Sequence, residues 1–505
     1  MSFSELYDRK YLFKCLLWFS IVFGLMRVTG GAGFAIVIPF VFYSALSRKA
    51  ESLFFWLLVS VCTLIVNPHL VPKGGAFALM QRGVMLFLGS VMAANVMAYP
   101  LHGVLRPYAG MLFYIIFMVL SSMQGWNPKI SYLKLLLFSL VYYAYIGVVN
   151  QVGINRKVSS RKIRSIMLSM AILFIIGSVA LVPFPGLSQM RAEDLEFGNM
   201  DLSSFTSLFM GMTNHSQCLG PVVAVIAVIL LGDLLFSVKR ADPLYIGMLC
   251  CCPYLIYLTS SRTGMGAFVL GQLFVLWVFM NARGLESRWK GRVMFLAISM
   301  TTSFVVVMAF IPSVQDKATK FLMKTSSDNV GSVTTEGLTS SRMGKIDEAL
   351  YNFKTSPLMG NGFQVSAEMK HVKEKGLAIL SAPIEKGVWI TAVLEEGGIV
   401  GWVIFVSFLL ACIIKSIKRR AYIGASCLFV ITMTNLGEFT FFSMSYAGGF
   451  SWAMVFVGLA LDMRKMNDEN EAIRQQMKFE QMQMEMMEGT GGGVVCICIP
   501  QRKMR

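Results

Sequence analysis

The sequence predicts an all-α protein, a polytopic transmembrane helix bundle of about 12–14 spans with a large extracytoplasmic loop. Two observations lead to this class. Of the 505 residues, 55% are hydrophobic and only 14% are charged, whereas soluble proteins carry roughly 25% charged residues. The apolar residues also gather into runs of about 18, the length that crosses the hydrocarbon of a bilayer. A buried core explains one such run but not a dozen.

The predicted spans lie at 11–28, 31–46, 52–66, 84–99, 108–123, 131–149, 165–183, 218–236, 244–259, 264–280, 293–311, 387–411, 421–436 and 443–461. If these spans alternate in direction, the short basic loops fall on one side, which marks the cytoplasm. Both termini are then expected in the cytoplasm. The loop 184–217, the turn around Arg262 and the long loop 312–386 are expected outside.

Three regions follow from this layout. Residues 1–183 form N-terminal transmembrane helices, 184–461 form a second transmembrane domain that contains the outer loop 312–386, and 462–505 form a cytoplasmic tail rich in Met and Gln. The tail is expected to be helical until Gly489. The net charge of +17 is assigned to loops beside anionic lipid. No nucleic-acid partner is expected, because no such binding motif accompanies the charge.

Three arginines are predicted at the outer surface: Arg191, Arg262 and Arg342. Arg262 stands in "LTSSRTG" between two apolar runs, and a cation near hydrocarbon requires a partner or must snorkel to the interface. It is therefore either an anchor that reaches lipid headgroups or part of an anion site. Guanidinium groups bind phosphate oxygens bidentately, so a lipid-linked diphosphate would suit several of them.

Other polar residues share this predicted surface. Asn214 and His215 precede a span, and a lone histidine there is more often a hydrogen-bonding element than a catalyst. Glu385 and Lys386 lie at the outer mouth of a span, and two further carboxylates, Glu395 and Glu396, follow about 15 Å along a helix. Carboxylates at membrane depth are functional candidates. The alternative is structural, with close packing at Gly397, Gly398 and Gly401 and a glutamate that caps a broken helix.

The long outer loop contains a second pattern. Ile346, Leu350 and Phe353 recur at helical spacing and predict a short amphipathic helix on the membrane surface. The following "SPLMGNGF" contains Pro and two glycines around Asn361. It predicts a turn whose backbone can approach a ligand closely.

Taken in order, "LTSSRTG", "SSRMGKIDEALYNFKTSPLMGNGF" and "EKGVWITAVLEEGGIVGW" resemble the O-antigen ligase/polymerase family over about residues 180–460. These are bacterial membrane glycosyltransferases of the GT-C type. The resemblance implies transfer or polymerisation of oligosaccharide units from undecaprenyl diphosphate at the outer face of the bacterial inner membrane. Glu385-Lys386 stands where many ligases have His-Asn, which favours an exopolysaccharide- or O-antigen-polymerase-like member.

By this resemblance, the expected catalytic residues are Arg262, Arg342 and Glu385, with the carboxylate in place of the family's histidine base. The expected substrate-binding residues are Arg191, Asn214, His215, Asn361 and Lys386.

No metal or other cofactor is expected, since no Asp-x-Asp pair or histidine cluster is predicted to face outward. The expected partners are the undecaprenyl diphosphate-linked oligosaccharide, a glycan or lipid acceptor, membrane lipids and polysaccharide assembly proteins. Two other classes stay open. A transporter or flippase would place polar residues along a path through the bilayer. A non-catalytic scaffold would use the Met-rich tail as its contact element.

Overall fold

A computed structural model describes residues 6–72, 75–155, 158–189, 208–238, 242–282, 289–291, 293–294, 335–365, 386–437, 439–444 and 447–489. These residues fold as helices joined by turns. Extended backbone within them pairs only at two isolated bridges, Val66 with Thr213 and Gln189 with Phe209. The predicted all-α polytopic fold is confirmed.

The described residues up to Gln189 form ten helices. They are α1 (Arg9–Thr29), α2 (Val37–Leu46), α3 (Ala50–Ile65), α4 (Gly75–Ala98), α5 (Arg106–Ala109), α6 (Met111–Met123), α7 (Pro128–Ile154), α8 (Ser160–Ala171), α9 (Gly177–Leu181) and α10 (Pro185–Ser188). A 3-10 turn at Ala32–Ile36 leads into α2, and a π-helical turn at Ile172–Ile176 joins α8 to α9.

The described residues of the second part form seven more. They are α11 (Ser216–Asp233), α12 (Pro243–Leu258), α13 (Arg262–Asn281), α14 (Thr335–Phe353), α15 (Trp389–Lys418), α16 (Tyr422–Thr434) and α17 (Ala447–Gly489). Helix α14 confirms the helix predicted in the outer loop. Helix α17 joins the last predicted span to the predicted tail helix without a break.

Within the described residues, seven helical segments are long and apolar enough to cross a membrane, and four shorter apolar helices accompany them. The predicted span at 293–311 lies outside the described residues except for its first two. Large apolar side chains on these helices are exposed at the surface of the bundle: Phe113 is 73% exposed and Trp277 is 56% exposed. Such exposure is expected for a bundle whose outer faces contact hydrocarbon.

The bundle has two distinct ends, which we name inner and outer after the predicted orientation. At the inner end, the backbone N–H of Asp8 donates to Ser165 Oγ at 3.0 Å, so α1 and α8 begin side by side. Arg164 pairs there with the last residue of α11, as its Nε donates to Asp233 Oδ2 at 2.7 Å. The Tyr245 hydroxyl donates to the same oxygen at 2.6 Å. Helices α11 and α13 both begin at the opposite, outer end.

Candidate outer-face active site

The starts of α11 and α13 lie side by side at the outer end. A β-carbon added at Gly264 would lie 2.8 Å from Gly220 Cα, so the two helices touch within one or two turns of their starts. Each start is capped by a side chain: Ser261 Oγ accepts from the N–H of Gly264 at 3.1 Å, and His215 Nδ1 accepts from the N–H of Gln217 at 3.0 Å. Helix N-termini carry partial positive charge and favour anions.

Arg262 is the first residue of α13 and is half-buried. A basic residue therefore stands at the point where two helices direct the positive ends of their dipoles. The next residue, Thr263, packs against the chain beyond α16, because a β-carbon at Gly437 would collide with its side chain. The geometry at this corner suits a phosphate group.

The start of α15 belongs to the same end of the molecule. The N–H of Trp389 donates to the carbonyl of Asn435 at 3.0 Å, and the N–H of Phe439 donates to the carbonyl of Gly387 at 3.0 Å. These bonds tie Lys386 and Gly387 to the segment that also contacts Thr263. Arg262 and Lys386, which are separated by more than a hundred residues, are thus brought to one end of the bundle.

Helix α15 is broken at Gly398, whose φ is +63° and ψ is −167°. The turn that follows α14 supplies the missing hydrogen bonds. The N–H groups of Asn361 and Gly362 donate to the carbonyls of Glu395 (2.9 Å) and Glu396 (3.0 Å), and the N–H of Ile399 donates to the carbonyl of Pro357 at 2.8 Å. Irregular backbone inside a membrane protein is tolerated when protein groups satisfy it in this way.

Two glycines make this docking feasible. A β-carbon at Gly360 would collide with the carbonyl of Glu396, and one at Gly398 would collide with the carbonyl of Leu358. The predicted turn therefore does bring its backbone close to another group, but that group is the broken helix. The predicted close packing is also present, because Gly401 lies against the ring of Phe117 on α6.

A buried charged centre lies beside the break. Lys386 Nζ is 3.3 Å from Glu395 Oε2 and 3.1 Å from Glu396 Oε1. All three side chains are at most 4% exposed. Asn352 Nδ2 donates to Glu395 Oε1 at 3.0 Å. Burial opposes the charge of Lys386, but Glu396 and Glu395 outweigh it and raise its pKa above the ordinary value. Lys386 is therefore protonated at neutral pH.

The carboxylates are closer to Lys386 than a continuous helix would allow. Helical rise predicts a separation of about 15 Å along the axis. The chain before Trp389 is not helical, and Gly387 has a φ of +71°. The lysine side chain extends along the first two turns of α15 and reaches both glutamates.

The structure places the other predicted site residues as follows. The Asn361 side chain donates to the carbonyl of Asn352 at 2.8 Å and contacts Thr355 Oγ1 at 3.0 Å, so it holds the turn together. Asn214 lies at the C-terminal end of α3, because its N–H donates to the carbonyl of Ile65 at 2.7 Å. Arg342 lies on the backbone of α14, and its side chain is outside the described part. Arg191 and Glu385 lie outside the described residues.

Sequence reasoning missed two members of this region. Asn352 and Lys134 are both nearly buried, and Lys134 Nζ donates to the carbonyl of Gln364 at 3.1 Å. Each stands in a helical segment whose polar residues would ordinarily face outward. Only the contacts with residues far along the chain, Glu395 for Asn352 and Gln364 for Lys134, show that these two belong to the region. No three His, Cys, Asp or Glu side chains of the described residues gather as metal ligands would.

Residues 246–406 match the family model described as O-antigen ligase. The comparison with curated proteins gives no match. The matched segment begins in α12 and ends in α15. It contains Arg262, Arg342, the turn that docks into the broken helix, and the buried charged centre of Lys386, Glu395 and Glu396.

Proposed function

Because residues 246–406 match the O-antigen ligase family model, we propose that the chain transfers or polymerises oligosaccharide units. The donor is an oligosaccharide linked to undecaprenyl diphosphate. The reaction takes place at the outer face of the bacterial inner membrane, with both chain termini in the cytoplasm. The lipid tail of the donor stays in the bilayer while its sugars face outward.

The position of Arg262 is the observation that supports this most directly. It begins α13 beside the start of α11, at the outer end, inside the family domain. A fixed cation and two helix dipoles at one corner form a site for a diphosphate. They also stabilise the negative charge that develops when the bond between the anomeric carbon and phosphate oxygen breaks.

The proposed transfer step requires only the acceptor, the donor and side chains of the protein. Glu385 takes the proton of an acceptor hydroxyl, and the acceptor oxygen forms a bond with the anomeric carbon of the donor. The anomeric carbon–oxygen bond breaks, and undecaprenyl diphosphate leaves with the electron pair. Arg262 and Arg342 hold the diphosphate, and Arg191, Asn214 and His215 contact the substrates. The acceptor is a glycan or a lipid.

The test is transfer by the purified protein in lipid vesicles, with the carrier-linked oligosaccharide as donor. Arg262→Ala should lower the transfer rate by at least about 100-fold, as loss of a donor to a developing oxyanion does. The matched control is Arg27→Ala. Arg27 is an exposed arginine in the last turn of α1, where it contacts the carbonyl of His69. It should keep transfer within about 2-fold.

Equal loss in both variants would assign the arginines to interfacial anchoring instead. Full transfer by Arg262→Ala would remove Arg262 from the mechanism. Carrier-linked material that crosses the vesicle membrane without transfer would support a flippase. Neither transfer nor crossing would support a scaffold.

A deletion strain separates the two forms of the proposed activity. Single carrier-linked repeats that accumulate without long chains identify a polymerase. Long carrier-linked chains that never reach an acceptor identify a ligase. We expect the polymerase outcome, because Glu385 and Lys386 stand where many ligases have His-Asn.

A further inference from the structure

The buried charged centre at the start of α15 has no part in the bond-making step proposed above. It contains Lys386, Glu395 and Glu396, and Lys134 lies close enough to interact electrostatically with Glu396 and Lys386. The centre holds two basic and two acidic side chains, all of them buried. Burying four charges is costly unless they are paired with good geometry, so the centre calls for an explanation.

The centre joins three separate parts of the chain. Glu395 accepts from Asn352 and thereby holds the end of α14 against α15. Lys134 reaches from α7 to the carbonyl of Gln364, just beyond the docked turn. Lys386 draws the segment before α15 onto the same two glutamates. Side chains thus reinforce the backbone bonds between the turn and the broken helix.

The joined parts are those that carry the proposed reacting groups. Lys386 directly follows Glu385. Gly387 packs against α14, since a β-carbon there would lie 3.2 Å from Lys345 Cβ. Arg342 lies on the same helix, one turn before Lys345. The way α14 packs against the start of α15 therefore sets where the backbone of Arg342 lies relative to Lys386, the residue that follows Glu385 in the sequence.

We infer that Lys386, Glu395 and Asn352 are positioning residues of the proposed transferase. They hold the start of α15, which Glu385 precedes in the sequence, against the helix that carries Arg342. None of the three is built to contact substrate, because Lys386, Glu395 and Asn352 are all buried. This inference rests on the proposed function and assigns Lys386 to positioning instead of substrate binding.

Positioning predicts a specific kinetic pattern. A shift of about 1 Å in a catalytic group can cost 100-fold in rate. Donor binding at Arg262 depends on α13, which the centre does not touch through these contacts. Because Arg262 still holds the diphosphate when α14 and Arg342 shift, loss of the centre should lower kcat far more than it raises the KM for the donor.

Three variants test the inference in lipid vesicles. Asn352→Leu removes one link without removing a charge. Lys386→Met breaks both ion pairs. The double variant Lys386→Met/Glu396→Gln breaks them while removing one basic and one acidic group together, which guards against a folding failure of the single variant. Lys162→Met is the matched control, because it breaks the 2.7 Å pair of Lys162 with Glu51, away from the outer end.

Two readouts are needed, amide hydrogen exchange over residues 350–363 and the transfer kinetics. We expect exchange at least about 10-fold faster, kcat about 100-fold lower and the donor KM within about 3-fold for the first three variants. Lys162→Met should show none of these changes. Asn352→Asp should have a lower kcat than the wild type, because it replaces a hydrogen-bond donor with a carboxylate beside Glu395.

Unchanged exchange in the first three variants would overturn the inference, and so would faster exchange with wild-type kcat. A rise in the donor KM with unchanged kcat would also overturn it, by assigning these residues to substrate binding. Wild-type protein without any transfer would refute the proposed function. The exchange data would then still decide whether the centre anchors α14.

Discussion

Gly398 shows how a single residue sets the architecture around the site. Its φ of +63° with ψ of −167° lies in a region that is essentially restricted to glycine, at a cost of about 1–3 kcal/mol for other residues. Its missing β-carbon also makes room for the carbonyl of Leu358. The break exposes backbone groups of α15, and the turn at 357–362 binds them.

Gly398→Ala is therefore expected to destabilise the protein by roughly 2–4 kcal/mol, from backbone strain and collision together. Thermal unfolding in detergent measures this as a lower Tm, and transfer activity should fall with it. Gly247→Ala is the control, because a β-carbon at Gly247 on α12 meets nothing within 4 Å. A Tm for Gly398→Ala equal to that of Gly247→Ala would mean that α15 can close into a regular helix.

At the scale of elements, the sequence predicts the helices well because each carries its own apolar length. The helix in the outer loop is likewise predicted from Ile346, Leu350 and Phe353, and the structure has it at Thr335–Phe353. The docking of its following turn into α15 was not predicted. Those hydrogen bonds join residues 34 or 42 positions apart, and no local pattern encodes which partner a turn will meet.

The candidate site divides in the same way. Chemistry and topology led to the prediction that Arg262 and Lys386 lie at one end of the bundle, and the structure brings them there. The pairing of Lys386 with Glu395 and Glu396 could not be expected, because a regular helix would have kept them about 15 Å apart. Asn352 had no signal at all, since its role depends on a carboxylate from another helix.

The contact between α11 and α13 yields a prediction for paired elements. Gly264→Ala places a β-carbon 2.8 Å from Gly220 Cα, so the starts of both helices must move apart. Overpacking of this kind costs about 1–3 kcal/mol. The shift also moves Arg262 away from the start of α11, so the donor KM should rise several-fold in the vesicle assay.

Gly266→Ala tests the same substitution two residues further along α13, where a β-carbon meets nothing within 4 Å. It should leave the donor KM unchanged. A similar rise in both variants would show that the contact between the two helices does not set the phosphate site.

At the scale of the whole molecule, the two ends differ in chemistry, and α17 connects the inner end to the tail. Its polar residues bind the ends of three other helical segments. Asp462 accepts from the N–H of Gly424 at 2.9 Å, Arg464 donates to the carbonyl of Asn155 at 3.0 Å, and Lys465 donates to the carbonyl of Phe236 at 2.6 Å. Each charge has the sign that the local helix dipole favours. From residue 468 to 483 the helix is exposed.

Two truncations separate these parts of α17. A chain that ends after Asn467 keeps all of these contacts, including the 2.7 Å bond from Asn467 Nδ2 to the carbonyl of Gly153. It should insert, unfold at the wild-type Tm and transfer within about 2-fold of wild type. A chain that ends after Leu461 loses four capping side chains, each worth roughly 0.5–2 kcal/mol, and its Tm should fall by several degrees.

Co-purification from the native membrane completes this test. If the chain that ends after Asn467 keeps transfer but loses an assembly partner, the exposed helix is a contact element and the bundle carries the chemistry. If that chain loses transfer while its Tm is unchanged, the tail acts on the outer site through α17. The proposed division between a catalytic bundle and a binding tail would then be wrong.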